Sequence, residues 1–429
     1  MTKGTQILII FLLGISVSAN GTNYYVDKNA TGNNNGSSWS DAWEKFENID
    51  WAIIGPGDSI YISGGLDSTI YYETLTTGNS GTPGKRIVIT KGTDSGHNGK
   101  VIIDGGGIRR HGIKIDLNDY ITVKGIILRN SIHGLIRISR SNFTVIENCE
   151  MFVHGRAGIF IQYSTGSEIK GCSIKTGSYV NSQTDGIYSQ HNVNNVYDHN
   201  YIIINNTEPS GHDDCIQSYQ DNNLTIHSNY CEQNNSKTSN ALGIFAELPT
   251  GGVFRFYNNI VNMGNAKSAG ILFIRKLTGN GTLEIIGNTL YSKKSYSLIR
   301  VSETIDPVIK NNIIFSEGKA FALKLEDWSG NVNNIDNNLI YTPNAVNVCY
   351  FNGSPKNWSQ WRILGFDVHG INTDPKLKNI SKKNFSLQAG SPAINSGVNL
   401  GSPYNVDILG VTRPFGDDYD IGCYEWSEH

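Results

Sequence analysis

Two aspartates occupy the same place in two successive repeats of this sequence. TDGIYSQ carries Asp185, and GHDDCIQSYQ carries Asp213 and Asp214 behind His212. If the two segments are neighbouring parallel strands, about 4.8 Å separates them and the three carboxylates crowd one patch. Like charges that close cannot all ionise without cost, so at least one carboxyl is expected to hold its proton at neutral pH. A protonated carboxyl beside an ionised one is the equipment of glycoside hydrolysis. Asp213 or Asp214 would then be the general acid, with the remaining carboxylates activating water for inversion. Two other uses stay open. The same oxygens could bind Ca²⁺, completed by Gln190 or backbone carbonyls. Alternatively, each Asp could simply cap a turn. His212 either orients Asp213 or acts itself.

Around this patch lie candidate substrate contacts. The positions after each strand's Ile are Tyr188, Gln217, Phe245, Arg300 and Lys324, an aromatic and cationic stripe suited to an anionic sugar chain. Glu247 closes the segment NALGIFAE. Arg275 and Lys276 stand one and two repeats past the carboxylates, placed to hold a substrate carboxylate.

These residues need a scaffold that stacks them. Short pieces of the form x-Gly-Ile recur from HGIKI at 111 to FALKL at 321, with starts 22–29 residues apart. A second series ends in Asn148, Asn200, Asn229, Asn259, Asn288, Asn312 and Asn338, with Gly125 and Gly171 in the same role. Repeats of this length with two or three β-rich pieces each predict a solenoid. Asn and Gly are expected at a turn position with φ > 0, and stacked Asn side chains can bond from coil to coil. The fold expected is all-β: a right-handed parallel β-helix of nine or ten coils over 59–345. An amphipathic helix within 38–53 (SWSDAWEKFENIDWAI) should cap its start in 20–58, and an irregular cap should close it in 346–429.

The first 19 residues, with Lys3, the apolar run ILIIFLLGI and SVSA, predict a cleaved signal peptide and a secreted protein, extracellular or periplasmic. The 429 residues carry a net charge of −3, which argues against a nucleic-acid partner. Six cysteines without metal-site spacing are expected mostly as buried apolar fillers. No membrane association after cleavage, a monomer and no cofactor other than the alternative Ca²⁺ complete the expectations.

The opening NYYVDKNATGNNNGSSWSDAWEKFENI with GDSIYISGG, and the closing FSLQAGSPAINSG, DILGVTRP and DIGCYEW, resemble secreted β-helix proteins of the pectate-lyase-like superfamily. QTD at 183–185 and HDDC at 212–215 resemble the NTD and DDC motifs of polygalacturonase-type glycoside hydrolases (family 28). That resemblance implies catalytic roles for Asp185, Asp213 and Asp214 and a polysaccharide substrate. The family's GHG motif has no counterpart, and its RIK reads IRK here, at Arg275 and Lys276. A polysaccharide lyase on the same groove, using Arg275 or Lys276 as base with Ca²⁺ on the aspartates, is the second reading. A non-catalytic glycan-binding surface protein is the third.

Overall fold

The computed structural model describes residues 21–427 apart from 178–182, 207–211, 235–236, 238–241, 269, 278–280 and 304–305. The proposed signal peptide lies outside the described residues. Three sheets wrap one continuous core, and the chain visits them in turn, A then B then C, in each coil. Sheet A has 12 strands, from Asn23–Val26 to Ile335–Asp336. Sheet B has 11, from Ser68–Tyr71 to Leu339–Tyr341. Sheet C has 12, from Leu75–Thr76 to Ser354–Lys356, the last of them antiparallel to its neighbour. This is a parallel β-solenoid of the right-handed type. It begins before the x-Gly-Ile series does, because the strands Asn23–Val26 and Ser59–Ile62 already pair in sheet A.

Side chains of one type stack in columns through the core. In sheet C, Ile113, Ile136, Ile159, Ile187, Ile216 and Ile244 are in register and buried. Branched Ile fills the half-buried pleat and packs on its own kind from coil to coil. The preceding glycine has a steric reason. A Cβ on Gly186 would lie 2.5 Å from the Cys215 carbonyl oxygen and 2.5 Å from Ile202 Cγ2. The motif therefore marks where the backbone presses against the next coil.

The Asn series splits into two adjacent positions. Gly125, Asn148, Gly171, Asn258, Gly287, Asn311 and Asn337 have φ between 52° and 70° and make the turn. The next position holds a ladder: each of Asn200, Asn229, Asn259, Asn288 and Asn312 donates its N–H and its Nδ2 to the Oδ1 of the following rung, at 2.9–3.1 Å. Asn338 passes the same two bonds to Asp367. Asn148 therefore belongs to the turn, and Cys149 and Cys172 stand at the ladder position in the two coils before Asn200.

Both ends differ from expectation. The helix expected within 38–53 is absent. Only Phe46–Asn48 forms one 3-10 turn. Trp43 instead bridges Val26 as an extra rung, and Phe46 and Ile49 turn into the core. The reason is visible in the polar residues: the Asp41 carboxylate accepts from Asn33 N–H, Asn33 Nδ2 and Ser38 Oγ, and Asn34 accepts from Glu44 N–H, so local turns outcompete helix. At the other end the short helix Trp358–Ile363 inserts Trp361 against Phe366, ring centroids 4.1 Å apart, past the last coil. The irregular tail then runs back along the solenoid. Leu377, Phe385, Leu387 and Ile421 pack on Ile260, Tyr291 and Ile313.

Candidate active site

The strands Asp185–Gln190 and Asp214–Tyr219 are neighbours in sheet C, with Ile187 opposite Ile216. Asp185 pairs in register with Ala157, and Asp214 with Leu242. Ala157 clusters with Phe160 and Tyr188, and Leu242 with Phe245 and Phe273, both apart from the core. The two aspartates thus belong to the outer row of sheet C, stacked as the repeat required.

Their hydrogen bonding is asymmetric. Asp185 Oδ1 accepts the Asp214 N–H at 3.0 Å, and Asp214 Oδ1 accepts the Leu242 N–H at 3.0 Å. The second oxygen of each, Oδ2, is buried without a hydrogen-bond partner. Both residues are 0% exposed. Burial, the largest cause, holds both carboxyls well above the usual range. The Asp214 N–H and Arg156 pull Asp185 down while Asp213 pushes it up. Asp185 itself adds to the rise at Asp214. Each carboxyl therefore gives up its proton less readily than a free one, and the two titrations are linked.

Asp213 faces elsewhere. Its Oδ1 accepts the Thr184 N–H at 2.9 Å and Asn206 Nδ2 at 2.9 Å, and its carbonyl accepts Gln233 Nε2 at 2.7 Å. This carboxylate ties the turn before Asp214 to the coil before it. Among the described residues no three His, Cys, Asp or Glu side chains gather as metal ligands, and Asp185, Asp213 and Asp214 are not brought together in that way. His212 Nδ1 lies 3.3 Å from Asp214 Oδ2, out of hydrogen-bond alignment, and its ring meets the Phe245 edge at 5.5 Å. Burial lowers its pKa, and the charges of Asp213 and Glu247 oppose that.

Behind Asp214, Cys215 turns into the core and is disulfide-bonded to Cys231, with Cα atoms 6.0 Å apart. The filler reading fails for this pair and holds for Cys149, Cys172, Cys349 and Cys423, which are free and buried. The bond pins the strand carrying Asp214 to sheet B.

The expected stripe forms one row of sheet C. Phe160, Tyr188, Gln217, Phe245, Phe273, Arg300 and Lys324 follow one another strand by strand. Gln183 Nε2 reaches Gln217 Oε1 at 3.0 Å. Arg300 stacks on Phe273, 4.4 Å from its centroid, and bonds Glu326 at 2.7 Å. Arg275 and Lys276 are not brought to the aspartates. Arg275 lies in the row of Glu247 and Tyr219, at the far end of the strands, ion-paired with Glu247 at 3.4 Å. Five residues along and two strands across amount to roughly 19 Å from Asp214. Lys276 follows in a left-handed turn with φ 59°. The cation that does meet the pair is Arg156, which the x-Gly-Ile reading passed over because it precedes the motif. Its guanidinium lies 4.7 Å from the Tyr188 centroid and 5.3 Å from that of Phe160.

Among solved structures, the chain matches pectate lyase Pel9A at 15% identity and TM-score 0.64, over 95% of this chain and 97% of that one. It matches XylC, solved in complex with xylose, at 11% identity and TM-score 0.61, over 95% and 98%. No protein-family profile and no curated protein matches the sequence. The likeness shows the fold: a parallel β-helix of the kind that pectate lyase Pel9A also has.

Proposed function

We propose that the protein is a secreted carbohydrate-active enzyme that hydrolyses an acidic polysaccharide on the outer face of sheet C. The observation that carries this reading is the Asp185–Asp214 pair, stacked one coil apart, each with a buried Oδ2 that makes no hydrogen bond and a carboxyl that burial pushes well above the usual range. Such a group donates to a leaving glycosidic oxygen. In this reading Asp214, beside His212, is the general acid and Asp185 activates water for inversion. Asp213 supports them as a positioning residue through Thr184 and Asn206. The motif likeness to family 28 hydrolases and the fold shared with a pectate lyase both support a polysaccharide substrate. Because both carboxyls are 0% exposed, substrate engages them only when the groups covering them move, among the described residues His212, whose Nδ1 lies 3.3 Å from Asp214 Oδ2.

The lyase reading keeps one specific support. Two unpartnered carboxylate oxygens one coil apart suit a cation, and Ca²⁺ held by Asp185 and Asp214 would leave Arg156, rather than Arg275 or Lys276, as the nearby base. A panel of acidic and neutral plant and algal polysaccharides separates the readings. Reducing ends without ultraviolet absorbance near 235 nm (an approximate value for unsaturated uronates) mean hydrolysis, and chelator-sensitive absorbance means elimination. Binding without cleavage across the panel, with and without Ca²⁺, leaves the glycan-binding protein.

A further inference from the structure

One and two coils before Asp185, three side-chain nitrogens are buried with no hydrogen-bond partner: Arg156 Nε in the nearer coil, and His133 Nδ1 and Arg137 Nε in the one before it. They surround one ring. Phe160 lies opposite Arg137 in register, its centroid is 4.9 Å from the His133 ring, and the Arg156 guanidinium covers it at 5.3 Å. The Gly134–Ala157 pairing makes His133 and Arg156 neighbours on adjacent coils.

We propose that His133, Arg137 and Arg156 form the receptor for the carboxylate of an acidic sugar residue, seated over the two coils that precede Asp185. This rests on the reading of that pair as the cleavage site and names the chemistry of the substrate around it.

The electrostatics fit an absent anion. Burial first, then the cationic neighbours His111, Arg156, Arg110 and Arg137, push the His133 pKa down to about 4. The acid on the neighbouring strand, Asp116, is claimed by Lys114 at 3.5 Å. Asp185 faces Arg156 but is itself held toward its protonated form. A chain that gathers cations without supplying an anion leaves buried donors unsatisfied, a state native structures avoid unless a ligand completes it. Two guanidinium groups recognise a planar carboxylate well, and His133 in its Nδ1–H tautomer adds a third donor. The aromatic pair Phe160 and Tyr188, stacked at 4.9 Å, holds Arg156 flat and ready.

The test is calorimetric titration of the full chain in an Asp214→Asn background, where ligand is not consumed. Oligomers of galacturonate, glucuronate and mannuronate are each compared with their neutral methyl esters. At least one acidic oligomer should bind ten-fold or more tightly than its ester. Arg137→Gln and Arg156→Gln should each remove that preference while leaving ester affinity and melting temperature in place, and Arg156→Lys should retain part of it. No preference for any acid over its ester, or a preference that survives both Gln substitutions, overturns the proposal. Cleavage of a neutral polysaccharide without acidic preference upholds the hydrolase and overturns this receptor. Acid-specific binding through both arginines, with no cleavage by the wild type, upholds the receptor and overturns the hydrolase.

Discussion

Asp214 donates its backbone N–H to Oδ1 of Asp185 at 3.0 Å, so one carboxyl of the pair is anchored by the main chain of the other. Asp214 in turn is anchored by Leu242. Each side chain thus has one oxygen in the solenoid's bonding and one left over, which separates its structural role from its chemical one.

That separation predicts the behaviour of amide variants. Asn keeps an acceptor for the backbone N–H and carries no charge into a site where burial disfavours one. Asp185→Asn and Asp214→Asn should each lower activity by about 10²–10⁴-fold while melting temperature stays nearly unchanged. Full activity in both, measured on the best polysaccharide, would end the proposed mechanism.

Asp213 should behave in the opposite way. Asp213→Ala strands the Thr184 N–H and Asn206 Nδ2. A loss of about 2–3 kcal/mol in denaturant unfolding is expected. An equally stable variant would show that the turn does not depend on this carboxylate.

Stability should fall as pH rises from about 4 to about 6. Asp221 is buried, accepting from Ser189 Oγ at 2.6 Å, Ser218 Oγ at 2.7 Å and the Asn192 N–H at 2.7 Å, and desolvation pushes its pKa up to about 6. Asp367, buried under Trp361 and Asn338, is also pushed up to about 6. The folded carboxyls hold protons more tightly than unfolded ones at about 3.9, so their contribution is fully present below that pH and lost through pH 6. Each is worth on the order of 3 kcal/mol. Asp221→Asn should flatten the slope, because the serine hydroxyls can rotate to accept from the amide. A thermal melt series in which wild type and variant keep parallel slopes would refute it.

The ladder should be intolerant of interruption. Asn259→Ala removes the acceptor of two Asn229 donors and the donor to Ile226 O and Asn288 Oδ1. A cost of roughly 2–4 kcal/mol is expected. Asn259→Asp should also destabilise, since a carboxylate there faces two acceptors with no proton to give. At the end of the ladder, Asp367 receives only donors, from Asn338 and Trp361 Nε1, and an acid fits.

Reduction of Cys215–Cys231, which closes a span of 16 residues, should cost about 3 kcal/mol. Melting with and without a reductant reads this directly, with Cys215→Ala and Cys231→Ala together as the control that no longer responds.

What was legible in the sequence is what repeats. The Ile columns, the glycines before them and the recurring Asn report a local rule applied coil after coil, so the solenoid and the stacking of Asp185 on Asp214 follow from spacing alone. Even there, two neighbouring Asn positions look alike in one dimension, and only backbone φ tells the turn at Asn258 from the rung at Asn259. Other features depend on direction rather than spacing. Sequence cannot say that Asp213 turns its carboxylate to Asn206 while Asp214 leaves an oxygen free, because both are Asp at one step's remove. It cannot say that Arg275 ends at the far end of the strands with Glu247 while Arg156 meets Tyr188, because a strand's two ends lie roughly 16 Å apart but read as five residues. The tail beyond 366 carries no repeat at all. Its place along sheet B is decided by apolar contacts such as Phe385 near Tyr291, made across almost a hundred residues of chain.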